Sequence, residues 1–214
     1  AIVNMVVVAG VGFMLYQSKK KEAAEPKIEH VIKGEHIAQE QEAMEEKEFY
    51  EENFDIITEL EENYLDIKME FLSVVKSTMY SQWPETNLYN QGWNVFGLRF
   101  QNKDISQAHS LCPILSKIIK KNDKLISTLG FSILNPGTVI HPHEGYTSEV
   151  LRCHLGIKVP EGDCYLKVGE TVKKWKEGKA IVFDDTIIHE AWNKTNETRI
   201  IMLVDLNKAA LYFE

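Results

Sequence analysis

Between Leu151 and Val168 the chain reads LRCHLGIKVPEGDCYLKV: an apolar run, a turn cluster at Pro160-Glu161-Gly162-Asp163, and a second apolar run. Short apolar runs broken by Pro, Gly, Asn and Asp are the signature of strands joined by tight turns. The same grammar extends in both directions. Upstream stand LISTLGFSIL (125–134) and the turn Asn135-Pro136-Gly137. Downstream come TVKKW (171–175), Glu177-Gly178, KAIVF (179–183), the loop from Asp184 to Glu197, and RIIMLVDL (199–206). Strands at this spacing predict a mostly β domain of the jelly-roll or cupin-like class, a double-stranded β-helix.

The region before the strands has a different period. Ile57, Leu60, Leu65, Ile67, Phe71, Leu72 and Val75 recur at helical spacing, which predicts one or two amphipathic helices over 54–79. A further helix is predicted over 105–120, with Leu111, Ile114, Leu115 and Ile118 on one side. These helices, at about 54–120, flank a barrel core at about 88–206, within a single domain of 48–214. The stretch 19–47 is charged and poor in aromatic residues, as a tether is. Residues 1–16 (AIVNMVVVAGVGFMLY) are almost wholly apolar and lead into Lys19-Lys20-Lys21. With no cleavage signature after it, 1–18 is expected to be an uncleaved membrane-anchor helix, slightly short as written. The lysines after it predict a single-pass, membrane-anchored protein with its domain on the cytoplasmic side.

Composition narrows the function. The formal charge is −8 over 214 residues, with 44% hydrophobic and 26% charged residues. A nucleic-acid partner is not expected, because phosphate neutralisation needs a basic face. Much of the acidity lies in the Glu-rich run 35–62, which reads as solvated helix or spacer. Three scattered cysteines, Cys112, Cys153 and Cys164, make neither a disulfide framework nor a thiolate zinc site.

Strand alternation then singles out the residues able to do chemistry. In 151–159, Arg152, His154 and Gly156 share one face, while Leu151, Cys153, Leu155 and Ile157 share the other. If the apolar set packs against protein, a cation and an imidazole face the interior. In the last strand Arg199, Ile201 and Leu203 alternate with Ile200, Met202 and Val204. With Arg199 also inward, two guanidiniums line one cavity, an arrangement suited to a dicarboxylate. His143 and His189 are the metal-ligand candidates. In most metal-binding barrels of this kind a carboxylate two residues after the first His completes the set. Here that position is Gly145, and strand geometry turns Glu144 away. Asp185, four residues before His189, is a candidate acceptor for a metal-held water or an imidazole N–H. Asp184 has the simpler role of closing a turn.

The segments PHEGYTSEVLRCHLG, WKEGKAIVFDDTIIHEAW and RIIMLVD resemble the aspartyl/asparaginyl β-hydroxylase family, over about 88–206. That family is a branch of the iron(II)- and 2-oxoglutarate-dependent oxygenases in which Gly replaces the ligand carboxylate, and it includes lipid A hydroxylases. The resemblance implies Fe(II) held by His143 and His189, with 2-oxoglutarate and O2 as co-substrates. It implies that Arg152 with His154 holds the 1-carboxylate of 2-oxoglutarate and that Arg199 with Ser132 holds the distal one. The implied reaction hydroxylates an unactivated C–H of a peptidyl Asp/Asn or of a membrane-associated lipid acyl chain, releasing succinate and CO2. Trp175, Tyr146 and Trp192 are candidates for the substrate entrance, or else core residues.

Two other readings remain open on the residues alone. Gly137, His141, His143, Glu149 and Gly156, followed by Gly178, His189 and Asn193, approximate the two cupin motifs. A general metal-binding cupin would then use His141, His143, Glu149 and His189, although the spacing from His141 to Glu149 is too wide. The third reading is a non-catalytic, membrane-tethered scaffold.

Overall fold

A computed structural model describes residues 47–77 and 80–213 of the chain. The expected anchor at 1–18 and nearly all of the tether at 19–47 lie outside the described residues. Among the described residues no helix is long and apolar enough to cross a membrane.

The chain begins with a two-residue strand, β1 (Phe49–Tyr50), and two helices, α1 (Asp55–Glu62) and α2 (Tyr64–Ser77). The face that α2 buries consists of Ile67, Glu70, Phe71 and Val74, at i, i+3, i+4 and i+7. Leu65, Leu72 and Val75, assigned by periodicity to the apolar stripe, are exposed instead. Next come β2 (Ser81–Gln82), a 3-10 turn (Thr86–Leu88), β3 (Trp93–Phe100) and β4 (Lys103–Asp104). The single helix expected over 105–120 is two, α3 (Ser106–His109) and α4 (Pro113–Lys121). Pro113 has no N–H to continue a helix, but its fixed φ suits the first turn of a new one.

Eight strands follow: β5 (Ile126–Leu134), β6 (Thr138–His143), β7 (Val150–Lys158), β8 (Cys164–Val168), β9 (Thr171–Lys173), β10 (Ala180–Phe183), β11 (His189–Asn193) and β12 (Arg199–Asn207). A final helix, α5, covers Lys208–Phe213. The large sheet has the order β1-β10-β7-β12-β5-β3-β2, and the small sheet has the order β6-β11-β8-β9. From β5 onward the chain thus passes between the two sheets, and every pairing among these strands is antiparallel. That is double-stranded β-helix topology, the mostly β, cupin-like class with N-terminal helices.

Alternation splits the apolar residues of the large sheet between two cores. Leu151, Cys153, Leu155 and Ile157 of β7, with Ile200, Met202 and Val204 of β12, pack under the helices against Ile67, Phe71, Leu115 and Ile119. The opposite face, with Leu134, Phe183, Ile201 and Leu203, meets Ile140, Leu166, Val168 and Ala191 of the small sheet inside the barrel. Polar side chains on this inner face therefore point into a closed, low-dielectric space.

Candidate active site

His143 ends β6 and His189 begins β11, and the two are register partners across the small sheet. The stretch 184–197 read as a loop from sequence, yet it contains β11. HEAWN carries too little apolar character to announce a strand, and pairing with β6 and β8 makes it one. The two imidazole centroids lie 4.3 Å apart with their planes at 52°. Each ring places Nδ1 against a nearby carbonyl: His143 on His141 O at 2.8 Å and His189 on Ile187 O at 2.9 Å. A carbonyl only accepts, so Nδ1 must carry the proton in each neutral ring. Nε2 of both rings is then left with a free lone pair, the state a metal ligand needs. Burial keeps both rings neutral, lowering His143 and pulling His189 down to about 3.

Asp185 is wholly buried. Its backbone oxygen accepts the Gly145 N–H at 2.5 Å, and its carboxylate occupies the space a Cβ on Gly145 would need. Gly145 is therefore required sterically, and the carboxylate missing from its position is replaced in space by that of Asp185. Nη1 of Arg152 stands 2.8 Å from Oδ2 of Asp185, yet neither carboxylate oxygen has an aligned hydrogen-bond donor. Desolvation accordingly raises this carboxyl to about 6 despite the guanidinium beside it. A buried acceptor with no donor is costly, and a water held at the two histidines is the kind of donor that would satisfy it. Asp184 closes the turn, its Oδ1 accepting from Thr186 N and Oγ1 while Oδ2 meets Lys208.

Arg152 and Arg199 both lie on the inner face but are not equivalent. Arg152 donates through Nε and Nη2 to Asp205 at 2.8 and 3.1 Å, besides its ion pair with Asp185. Its fork is committed to protein carboxylates, which revises the picture of two free cations. Asp205, buried and also accepting from Tyr146 Oη at 3.2 Å, was missed by the sequence reading. The signal was present, because 199, 201, 203 and 205 share one face of β12.

Arg199 is 1% exposed and has no acid partner among the described residues. Nη1 donates to Ser132 O at 3.2 Å, Nε has no partner, and the guanidinium carbon sits 4.7 Å above the Trp175 ring. Burial without a counter-charge pulls its pKa down to about 9. Ser132 lies beside it, its Oγ accepting the Trp93 indole N–H at 3.0 Å. That leaves the hydroxyl proton for a further acceptor. His154 completes the pocket, buried and held neutral by desolvation and by Arg199 and Arg152. Phe183 packs edge-on against both His154 and His189, with ring centroids 5.0 and 5.5 Å away. The arrangement has the chemistry of an anion receptor, next to two imidazoles whose Nε2 lone pairs suit a metal. Both groups fit what an iron and 2-oxoglutarate site would need.

A family profile, Aspartyl/Asparaginyl beta-hydroxylase, matches residues 61–209. The chain belongs to the aspartyl/asparaginyl β-hydroxylase family. The human aspartyl/asparaginyl beta-hydroxylase is 32% identical over 158 residues, covering 71% of this chain and 21% of the relative. An ornithine lipid ester-linked acyl 2-hydroxylase of Rhizobium tropici is 39% identical over 118 residues, covering 54% of this chain and 42% of the relative. The chain thus spans less than half the length of these curated relatives. Among solved structures, a viral collagen prolyl hydroxylase of Paramecium Bursaria Chlorella virus-1 has a TM-score of 0.41 at 11% identity, covering 65% of this chain and 90% of that one.

The remaining candidates fall outside this constellation. His141 and Glu149 are exposed, and among the described residues no group of three or more His, Cys, Asp or Glu gathers into a metal site. The four-ligand cupin set is therefore not assembled. Trp192 faces away from the barrel interior and donates to Asp163, while Trp175 is buried inside. Tyr146 stands partly exposed over Asp205, at the edge of the buried charges.

Proposed function

We propose that this member of the family is an Fe(II)- and 2-oxoglutarate-dependent dioxygenase acting as a hydroxylase. The observation that carries the reading is Arg199, a buried guanidinium without a carboxylate partner among the described residues, in the same barrel as two histidines whose Nε2 lone pairs are free. A protein does not keep a desolvated charge cheaply, and a bidentate carboxylate ligand is the natural compensation. His143 and His189 would hold the metal. Arg199 and the Ser132 hydroxyl would hold the distal carboxylate of 2-oxoglutarate, and His154 would donate toward its other end. Arg152, neutralised by Asp185 and Asp205, would act there mainly by fixing those two carboxylates. Bound in this site, iron with 2-oxoglutarate and O2 supplies the oxidising power for C–H hydroxylation, with succinate and CO2 as co-products. The protein's share is position and dryness: Phe183 and Trp175 exclude water, and Asp185 orients a water or a ligand from the side where Gly145 leaves room.

The relatives support two substrate classes. One is named an aspartyl/asparaginyl beta-hydroxylase and the other an ornithine lipid ester-linked acyl 2-hydroxylase, and the proposed target is an unactivated C–H of a peptidyl Asp/Asn or of a membrane-associated lipid acyl chain. The apolar run 1–16 and the lysines at 19–21 support a membrane-anchored protein with a cytoplasmic domain, which protease protection in sealed vesicles would test. The deciding experiment for function is anaerobic loading with Fe(II) and 2-oxoglutarate, then admission of O2 with peptide or lipid substrates. Succinate together with a product heavier by one oxygen supports the reading. Absence of succinate under every condition, with a folded protein, favours the scaffold.

A further inference from the structure

Trp175 touches both of the groups that give the anion pocket its character. Its indole Nε1 lies 3.4 Å from Nδ1 of His154 as a buried donor, and the Arg199 guanidinium lies over its ring. An indole nitrogen only donates, so Nδ1 of His154 must be the accepting nitrogen. The neutral ring is thereby fixed with its proton on Nε2, the reverse of His143 and His189, whose carbonyl contacts put the proton on Nδ1. Two histidine polarities coexist in one barrel: Nε2 lone pairs at the metal position and an Nε2–H at His154. With the proton on Nδ1, His154 would set two N–H groups against each other in a closed space.

The loop carrying Trp175 is built to hold it there. A Cβ on Gly156, two residues beyond His154 on the same face, would collide with the Lys176 carbonyl, so the glycine lets the loop press onto β7. Gly156 N–H donates to Lys179 O at 3.1 Å and its carbonyl accepts Gly178 N–H at 2.9 Å. Glu177 is clamped by Lys68 at 2.7 Å, Tyr64 Oη at 2.8 Å and Val159 N–H at 3.1 Å. Trp175 itself is 1% exposed.

We propose that Trp175 is a positioning residue for co-substrate binding: its N–H locks His154 as an Nε2–H donor, and its ring face holds the Arg199 guanidinium flat toward the same anion. The ring contact adds a cation–π attraction that is strongest when desolvated. The role rests on the pocket being the 2-oxoglutarate site, so the test has one arm that needs no co-substrate.

In that arm, the full chain labelled with 15N-histidine and free of metal is compared with Trp175→Phe by long-range 1H–15N correlation, His154 being assigned through His154→Asn. Wild-type His154 shows the Nε2–H tautomer, and Trp175→Phe, which keeps a ring under Arg199 but loses the N–H, shows a mixture. In the second arm, 2-oxoglutarate is titrated calorimetrically into the Mn(II)-loaded proteins under argon. Loss of one buried hydrogen bond weakens binding in Trp175→Phe by roughly fivefold, and Trp175→Leu, lacking the ring face too, binds more weakly still. An Nδ1–H His154 in the wild type, or a folded Trp175→Phe protein with either tautomer or affinity unchanged, overturns the proposal. If wild-type protein binds no 2-oxoglutarate, the functional reading fails separately, and the tautomer measurement still reports whether Trp175 sets His154.

Discussion

The carboxylate of Asp185 stands where a side chain on Gly145 would have to go. In a barrel that normally places a metal-binding carboxylate at that position, the chain supplies an acid from the facing loop and removes the side chain that would compete with it. The two residues are a steric pair, joined further by the Gly145 N–H on the Asp185 carbonyl.

Gly145→Asp, which writes the usual carboxylate back into the sequence, is therefore expected to damage the fold rather than improve the site. Overpacking and a second buried negative charge should together cost about 3 kcal/mol or more. Gly145→Asp/Asp185→Ala should regain much of that loss. Denaturant unfolding of the three proteins checks it, and a single Gly145→Asp variant as stable as wild type would show that the contact relaxes.

His143→Ala and His189→Ala are each expected to abolish metal-dependent 2-oxoglutarate turnover and to weaken Mn(II) binding, whereas His141→Ala retains both. His141 is exposed, and only its backbone carbonyl reaches the site, through His143 Nδ1. Loss of activity in His141→Ala equal to that in His143→Ala would return the cupin ligand set to consideration.

The two inner arginines should respond oppositely to deletion. Arg152→Ala strands Asp185 and Asp205 as buried uncompensated acids, which costs about 3–5 kcal/mol. Arg199→Ala strands no acid, so thermal stability should be held or raised while the 2-oxoglutarate concentration needed for half-maximal turnover rises tenfold or more, by order of magnitude for a lost charge-assisted bidentate contact. Unchanged co-substrate requirement in Arg199→Ala removes the distal-carboxylate assignment.

Glu70 of α2 is a buried acid with a structural task. Its two oxygens accept the N–H groups of Ile114 and Leu115, at 2.5 and 3.1 Å, capping α4, whose own N-cap residue Cys112 makes no side-chain bond. Glu70→Ala should cost about 1–2 kcal/mol. Burial raises the Glu70 carboxyl above its usual value in the folded state, so the folded protein takes up the proton before the unfolded chain does. Relative to Glu70→Gln, which does not titrate, wild-type stability should therefore rise as pH falls from 7 toward 4.5, the ordinary carboxyl value. Parallel urea titrations at several pH values test the sign.

The mostly β class was legible because LRCHLGIKV and RIIMLVDL alternate two apolar sets about a few inward polar positions, and both faces of those strands are buried. Alternation grouped His154 with Arg152 opposite the apolar set of β7, but it left the direction of Arg199 open, because both faces of β12 are apolar. The helices were legible as helices but not by face: the period over 57–75 admits more than one stripe, and only contact with α4 and the large sheet selects Ile67, Phe71 and Val74 over Leu65 and Leu72. β11 was invisible because HEAWN has little apolar content and becomes a strand through its neighbours.

By itself, then, the sequence determined which residue types are available for chemistry and which of them share a side of each strong strand, since the period of a strand is a local property of the backbone. Tertiary structure alone decided how those residues spend their charges and protons. That Arg152 is consumed by Asp205 and Asp185, while Arg199 meets no acid among the described residues, depends on carboxylates 53 and 33 positions away in the chain converging on one guanidinium. Proton placement on the three histidines depends on it too, because a carbonyl beside Nδ1 or an indole N–H beside it settles the tautomer, and no spacing in the sequence records which of the two will arrive.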